Sequence, residues 1–254
     1  MKHTTKFAIA TLSSMLLLGS INNAAQATTA PLFGGNTINT TIAKAPTAAE
    51  KKKMIEAEKA RIVKLKTNKP GEVYLLYVSD KALNGGSEFL YYVNFPTFKT
   101  YEDYEKWTSR LKGPVVVEPQ SMPEGYSFVK GEIQNSLDNK AFEAKVKAEG
   151  KGKVVYSKKM EWTEAGQIKL EYATGKDNII FQMQTNSFPM KDSKTYRYKS
   201  VDSYSEEDRK KYGKILRNQL YWTEKGMTYE ISTNPGNPLT KDELIELAKT
   251  MIRK

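Results

Sequence analysis

The residues with the strongest chemical suggestion come as a pair. Trp162-Thr163-Glu164-Ala165-Gly166 is followed sixty residues later by Trp222-Thr223-Glu224-Lys225-Gly226. A tryptophan beside a carboxylate can stack a sugar ring and hold an acid against it, and two carboxylates are the machinery of glycoside hydrolysis. Glu164 and Glu224 are the carboxylates such chemistry would use. The rest of the catalytic inventory is thin. The chain has no cysteine and a single histidine, His3. Disulfides and Cys-His nucleophiles are therefore excluded, and with His3 in a segment expected to be removed, so are Ser-His-Asp triads and zinc sites built on His. Asp, Glu, Lys, Tyr and Ser remain, and no spacing singles out an acid/base pair among them. The expectation is a protein that is not an enzyme and uses no cofactor or metal.

The flanks of the doublet suggest a plainer role. MEWTEAGQIKLEY and LYWTEKGMTYEIS each place the motif between two runs with strand character. Glu-Ala-Gly and Glu-Lys-Gly fit three-residue hairpin loops, with glycine supplying a positive φ at the third position. Each tryptophan would then lie on the last rungs of a ladder and cover a sheet face.

The elements that position these residues follow from pattern. Lys2 and Lys6, the apolar run 7–21 and Ala25-Gln26-Ala27 read as a secretory signal peptide, residues 1–27, cleaved after Ala27. That run is shorter than the roughly 20 residues that span a bilayer, so no transmembrane segment is expected in the mature chain. Residues 28–49, rich in Thr, Ala, Asn and Gly, read as a flexible linker. Residues 50–69 read as a basic helical arm whose larger apolar residues are Met54, Ile55, Ile62, Val63 and Leu65.

The placement of charge supports that division. The formal charge is +11, and loss of Lys2 and Lys6 with the leader leaves +9. Residues 44–69 hold nine Lys/Arg against Glu50, Glu56 and Glu58, a net of +6, so the remainder is nearly balanced at +3. A nucleic-acid-binding core would carry its charge on the domain itself, and none is expected here.

Residues 70–254 read as one α+β domain. Runs 72–79 and 88–95 are β-branched and aromatic, with Asn84-Gly85-Gly86 as turn chemistry between them. Residues 100–113 form a helix with Tyr101, Tyr104, Trp107 and Leu111 on one face, capped by Thr100 and ended by Gly113. A short helix ends at Gly150, a train of strands follows, and 205–213 is a polar helical turn or loop. The terminal helix opens on Thr240 and Glu243, a capping box. It presents Leu244, Leu247, Ala248, Met251 and Ile252 on one face, with Arg253 and Lys254 suited to the negative end of its dipole. The expected fold is a curved, half-barrel-like antiparallel sheet of about ten strands with two or three amphipathic helices packed on it.

Pro119, MPEGYSF (122–128), the two WTExG segments and TKDELIELAKTM occur here in an order that resembles a domain-of-unknown-function family. That family is found in exported proteins of Gram-positive bacilli and in the outer regions of anti-sigma-factor-like proteins, and the likeness covers residues 115–254. It implies a fold similar to bacterial lipoprotein carriers and sensors, whose members bind acyl chains or peptides and catalyse nothing. It carries over no catalytic residues.

Function is expected accordingly. The first reading is an exported, non-catalytic binding or sensor module of the cell envelope, holding a lipid, peptide or wall fragment on the sheet, with 15 Tyr and 9 Phe available to line it. A second is retention at the cell surface through the arm, with Lys51, Lys52, Lys53, Lys59, Arg61, Lys64 and Lys66 on anionic wall polymer or headgroups, each cation contributing about 1 kcal/mol. A third is a carboxylate-based wall glycan hydrolase. The state of the inner sheet face bears on the first reading, since an open apolar cavity favours carriage and a filled one a scaffold or protein-contact role, whereas deletion of residues 44–69 tests the second.

Overall fold

The computed structural model describes residues 45–66, 69–137, 139–185, 193–213 and 215–253. The expected leader, its cleavage after Ala27, all but the end of the linker, and Lys254 lie outside these residues. Residues 45–254 form one compact unit.

Period-two alternation builds the larger sheet. Ile168, Leu170 and Tyr172 alternate with Lys169 and Glu171 in β7 (Ala165–Thr174), and Ile179, Phe181 and Met183 alternate with polar residues in β8 (Asp177–Thr185). The apolar set of each strand falls on one face. With β3 (Thr97–Phe98), β5 (Ser127–Asn135), β9 (Ser193–Lys199), β10 (Asn218–Glu224) and β11 (Met227–Thr233) they form an open, antiparallel sheet in the order β3-β5-β7-β8-β11-β10-β9. Register aligns Leu170, Phe181, Ile231 and Leu220 in one row, and Ile133, Ile168, Met183, Tyr229 and Trp222 in the next.

These rows are covered. Tyr104 of α2 (Tyr101–Thr108), Val115 and Val116 of β4 (Val115–Val116), and Leu244, Leu247, Ala248 and Met251 at the C-terminal helix α5 (Lys241–Thr250) close one buried cluster over them. The inner face is filled. The capping box of α5 is present, with Thr240 Oγ1 accepting from the Glu243 amide at 3.3 Å and Glu243 Oε2 accepting from the Thr240 amide at 2.7 Å. The helix ends at Thr250, earlier than the pattern implied. Ile252-Arg253 pair as β12 with β4, and Arg253 Nη2 donates to Thr108 Oγ1 at 3.3 Å, so Arg253 extends a strand and does not cap a dipole. Likewise α2 stops at Thr108, before Gly113.

The remaining strands form a second sheet. β1 (Val73–Val78) lies between β2 (Phe89–Val93) and β6 (Val155–Met160), antiparallel to both. All six residues of β1 are buried, because each face is covered: α1 (Ala48–Lys66) sets Ile55 and Ile62 on Tyr74, Leu76 and Val78, and α3 (Lys140–Glu149) sets Val146 on Leu75 and Tyr77. A strand buried on both sides reads as a continuous apolar run, here VYLLYV. The helix read as an arm is thus part of the domain. Ile55 and Ile62, two turns apart on one face, are enough to dock it, while Met54, Val63 and Leu65 stay exposed. The α-helices among the described residues number five, since 206–212 is also helical as α4 (Glu206–Tyr212). The strands divide between a sheet of seven, a sheet of three and the short β4–β12 pair, where the sequence suggested one sheet of about ten.

The doublet splits in the same way. WTEKG is a hairpin joining β10 to β11, but a two-residue one: Glu224 pairs with Met227, and Lys225 and Gly226 have φ of 52° and 74°. Both central residues are left-handed, the arrangement that matches strand twist. WTEAG is not a hairpin. It carries the chain from β6 in the small sheet to β7 in the large one. Gly166 has no positive φ, and its glycine is required by contact, since a Cβ there would lie 2.5 Å from the amide nitrogen of Ser136. The identical letters answer different constraints. Asn accepts the left-handed region, so Gly226→Asn should cost less than about 0.5 kcal/mol, whereas Gly166→Asn should cost about 1–3 kcal/mol from overpacking. Urea denaturation of both variants decides it, and equal costs would show that the distinction is wrong.

Candidate functional site

The chain crosses between the two sheets after β2, after β5 and after β6, and the seam they leave is where polar and aromatic groups converge. Gly71, just before β1, has φ of 89° and donates its amide to the Asn94 carbonyl at 2.6 Å. Its own carbonyl accepts from Trp162 Nε1 at 2.8 Å. Trp162 lies on the crossing from β6 to β7, and its ring sits 5.2 Å from that of Trp107, which the aromatic face of α2 carries to the seam. Trp107 in turn meets Phe98 edge-on at 6.0 Å.

Arg110 follows one turn after Trp107. Its guanidinium carbon lies 3.5 Å from the Trp107 ring centre and 6.0 Å from that of Trp162. This is cation–π geometry over the preferred aromatic. A Cβ on Gly71 would come within 2.9 Å of Arg110 Nη2 and 3.1 Å of Trp107, so only glycine lets the backbone pass beneath the stack. Burial lowers the guanidinium pKa from its ordinary value, with Glu161 offsetting part of the shift. Arg110 makes no ion pair or hydrogen bond with the described residues; its ring contacts hold it while its N–H donors remain uncommitted.

Two clefts adjoin at this arginine. One, of about 320 Å³, is bounded by residues 69–72, Arg110 and residues 159–163. The other, of about 730 Å³, is bounded by Pro70, residues 96–99, Asp103, Lys106, Trp107 and Arg110. In the first, Lys159 Nζ bridges Glu72 at 3.1 Å and Glu161 at 3.3 Å, and the Tyr74 hydroxyl donates to Glu72 at 2.8 Å. Burial opposes ionisation of Glu72, but Tyr74 and Lys159 outweigh it and hold the carboxyl below its usual 4.5. In the second, Asp103 accepts from the Thr100 hydroxyl at 2.8 Å.

The residues singled out from sequence lie elsewhere. On α1, Lys59 pairs with Glu56 at 3.0 Å, Arg61 with Glu58 at 2.7 Å, and Lys66 Nζ donates to the Val93 carbonyl at 3.0 Å. Lys51, Lys52, Lys53 and Lys64 make no ion pair with the described residues. Lys51 is half-buried beside the core face, Lys53 and Lys64 point away from it, and Lys52 lies on a flank, so the helix gathers no single cationic face. Glu164 and Glu224 stand at the same end of the large sheet with β8 and β11 between their strands. That is three strand spacings, about 14 Å, against the roughly 5–9.5 Å that separates the carboxyls of glycosidases. No group of three or more His, Cys, Asp or Glu placed to hold a metal occurs among the described residues. Sequence reading placed Trp107 on a core stripe and passed over Arg110 and Lys69. The signals were Trp-x-x-Arg at a helix end, one turn apart, and Pro70-Gly71 before a strand.

Compared with models of known protein families, with curated proteins and with solved structures, the chain matches none at a significant level.

Because folding depresses the Glu72 pKa, its interactions stabilise the fold above pH 4.5, and that stability is lost as pH falls through the folded-state value. Glu72→Gln should therefore lower the melting temperature most at neutral pH, with the gap to the parent closing below pH 4.5. A gap that stays constant across that range would show that the carboxylate is not the source.

Proposed function

We propose that the chain is an exported, non-catalytic binding module of the cell envelope whose ligand sits in the seam between the two sheets, against Arg110, Trp107 and Trp162. The single observation that carries this reading is the arginine itself: a guanidinium held in place by an indole, flanked by two clefts, with no ion pair or hydrogen bond to a carboxylate among the described residues. Stacking fixes its orientation, so fewer degrees of freedom are lost when its donors meet a ligand. Sheet-face carriage of a lipid is disfavoured, because the inner face is packed with Leu170, Phe181, Trp222 and the residues of α5. Export rests on the leader pattern of residues 1–27. The non-catalytic reading rests on the absent cysteine, the lone His3 and the separated carboxylates.

An anionic apolar dye, anilinonaphthalene sulfonate, tests the site without knowledge of the natural ligand. The chain has three tryptophans, so Trp222→Phe leaves Trp107 and Trp162 as the only indole emitters. Dye binding should quench them by energy transfer. Arg110→Ala, checked for an unchanged circular dichroism spectrum, should weaken binding about tenfold, the equivalent of about 1.4 kcal/mol for a lost charge-assisted contact. Equal affinity for both proteins, or binding without quenching, would place the dye away from the seam and remove the reading.

A further inference from the structure

Resting on the seam as the binding site, we infer that its ligand is an extended acidic peptide segment. The two clefts share Pro70 and Arg110 and so lie side by side, a trough of two parts with a cation where they adjoin. Lysines stand on both sides: Lys69 and Lys159 in the first cleft, Lys99 and Lys106 in the second. The trough also holds three acids, Glu72, Glu161 and Asp103. Glu72 and Glu161 are bridged by Lys159, and Asp103 accepts from Thr100. Lys69, Lys99, Lys106 and Arg110 make no ion pair with the described residues, although Lys69 lies near Glu72 and Arg110 near Glu161; five cations against three acids leave the trough a net charge of +2.

Between those cations the walls are apolar, formed by Pro70 and the Trp107 ring. Such alternation suits a ligand that carries separated negative charges and apolar groups on one backbone. An extended peptide advances about 3.3 Å per residue and sends successive side chains to opposite sides, so carboxylates and apolar side chains can be met in turn. A phosphate polymer would use the cations and leave the indole and proline surfaces unmatched. An acyl chain would need an enclosed cavity, and the trough is an open surface feature.

The experiment uses the intact chain and a fluorescein-labelled peptide of about ten residues, about 33 Å when extended, repeating Glu-Pro-Glu-Leu. Anisotropy should report binding that weakens at least about fivefold between about 0.05 and 0.5 M salt, as the screening length shortens from above 10 Å to a few ångströms. The same peptide with lysine in place of glutamate should not bind. Arg110→Ala should weaken the acidic peptide about tenfold, and the pair Lys99→Ala with Lys106→Ala should weaken it further, while Lys176→Ala in the β7–β8 turn changes nothing. Poly(glycerol phosphate) and phosphatidylglycerol vesicles form the comparison arms. If either binds in an Arg110-dependent way and the peptide does not, the ligand class is wrong and the seam survives. If the peptide binds Arg110→Ala as tightly as the parent, the seam is not the site and both readings fall. If no probe binds, the peptide inference is overturned, and the dye result alone decides the seam.

Discussion

Gly71 is a residue at which the two layers of the molecule touch. Its amide reaches Asn94, its carbonyl receives Trp162 Nε1, and the space where its side chain would begin is taken by Trp107 and Arg110. The chain crosses between the layers three times, so a relative shift would strain three connections at once. One corner, made of a glycine with φ of 89° and two indoles, holds them at contact distance. The seam and its clefts are a consequence of that contact. Where the layers meet at this corner they leave recesses on either side of it, and an arginine stands between the recesses.

Elsewhere the layers leave little room. β1 is buried on both faces by α1 and α3, and the inner face of the large sheet is closed by α2, β4 and α5. Protein interiors pack as densely as organic crystals, and a face filled this way has no space for a hydrocarbon guest. The outward residues of the same strands are polar, as Lys169, Gln182 and Glu230 show along one row. The seam therefore differs from both faces: it combines aromatic surface with cations that make no ion pair among the described residues. The aromatic face of α2 serves both places, since Tyr104 is fully buried under the sheet while Trp107, one turn on, reaches the seam.

The WTExG pair shows how far a short motif can be read. At 222–226 the glycine supplies a left-handed backbone and Trp222 stacks on its cross-strand partner Tyr229 at 5.3 Å. At 162–166 the glycine clears the backbone of Ser136, and the tryptophan leaves the ladder to bond Gly71. Local chemistry is the same in both; the difference is which strand lies next door. β6 pairs with β1, some eighty residues earlier, and nothing within the motif records that choice.

Much was legible because it depends on neighbours in sequence. The α+β class, the alternation of the strands, the β1–β2 pairing around Asn84-Gly85-Gly86, and the capping box of α5 follow from spacings of two to four residues. The absence of cysteine and the position of the one histidine bounded the chemistry without any coordinates. What only the tertiary structure decided depends on distant partners. It divided the strands into two sheets, docked α1 through Ile55 and Ile62, and brought residues 69–72, 96–110 and 159–163 to one seam. Arg110 and Lys69 are ordinary surface cations in the sequence. They become candidates for a site because long-range pairing places an indole beneath one and a cleft beside both, and a pattern read residue by residue carries no term for contacts between segments so far apart.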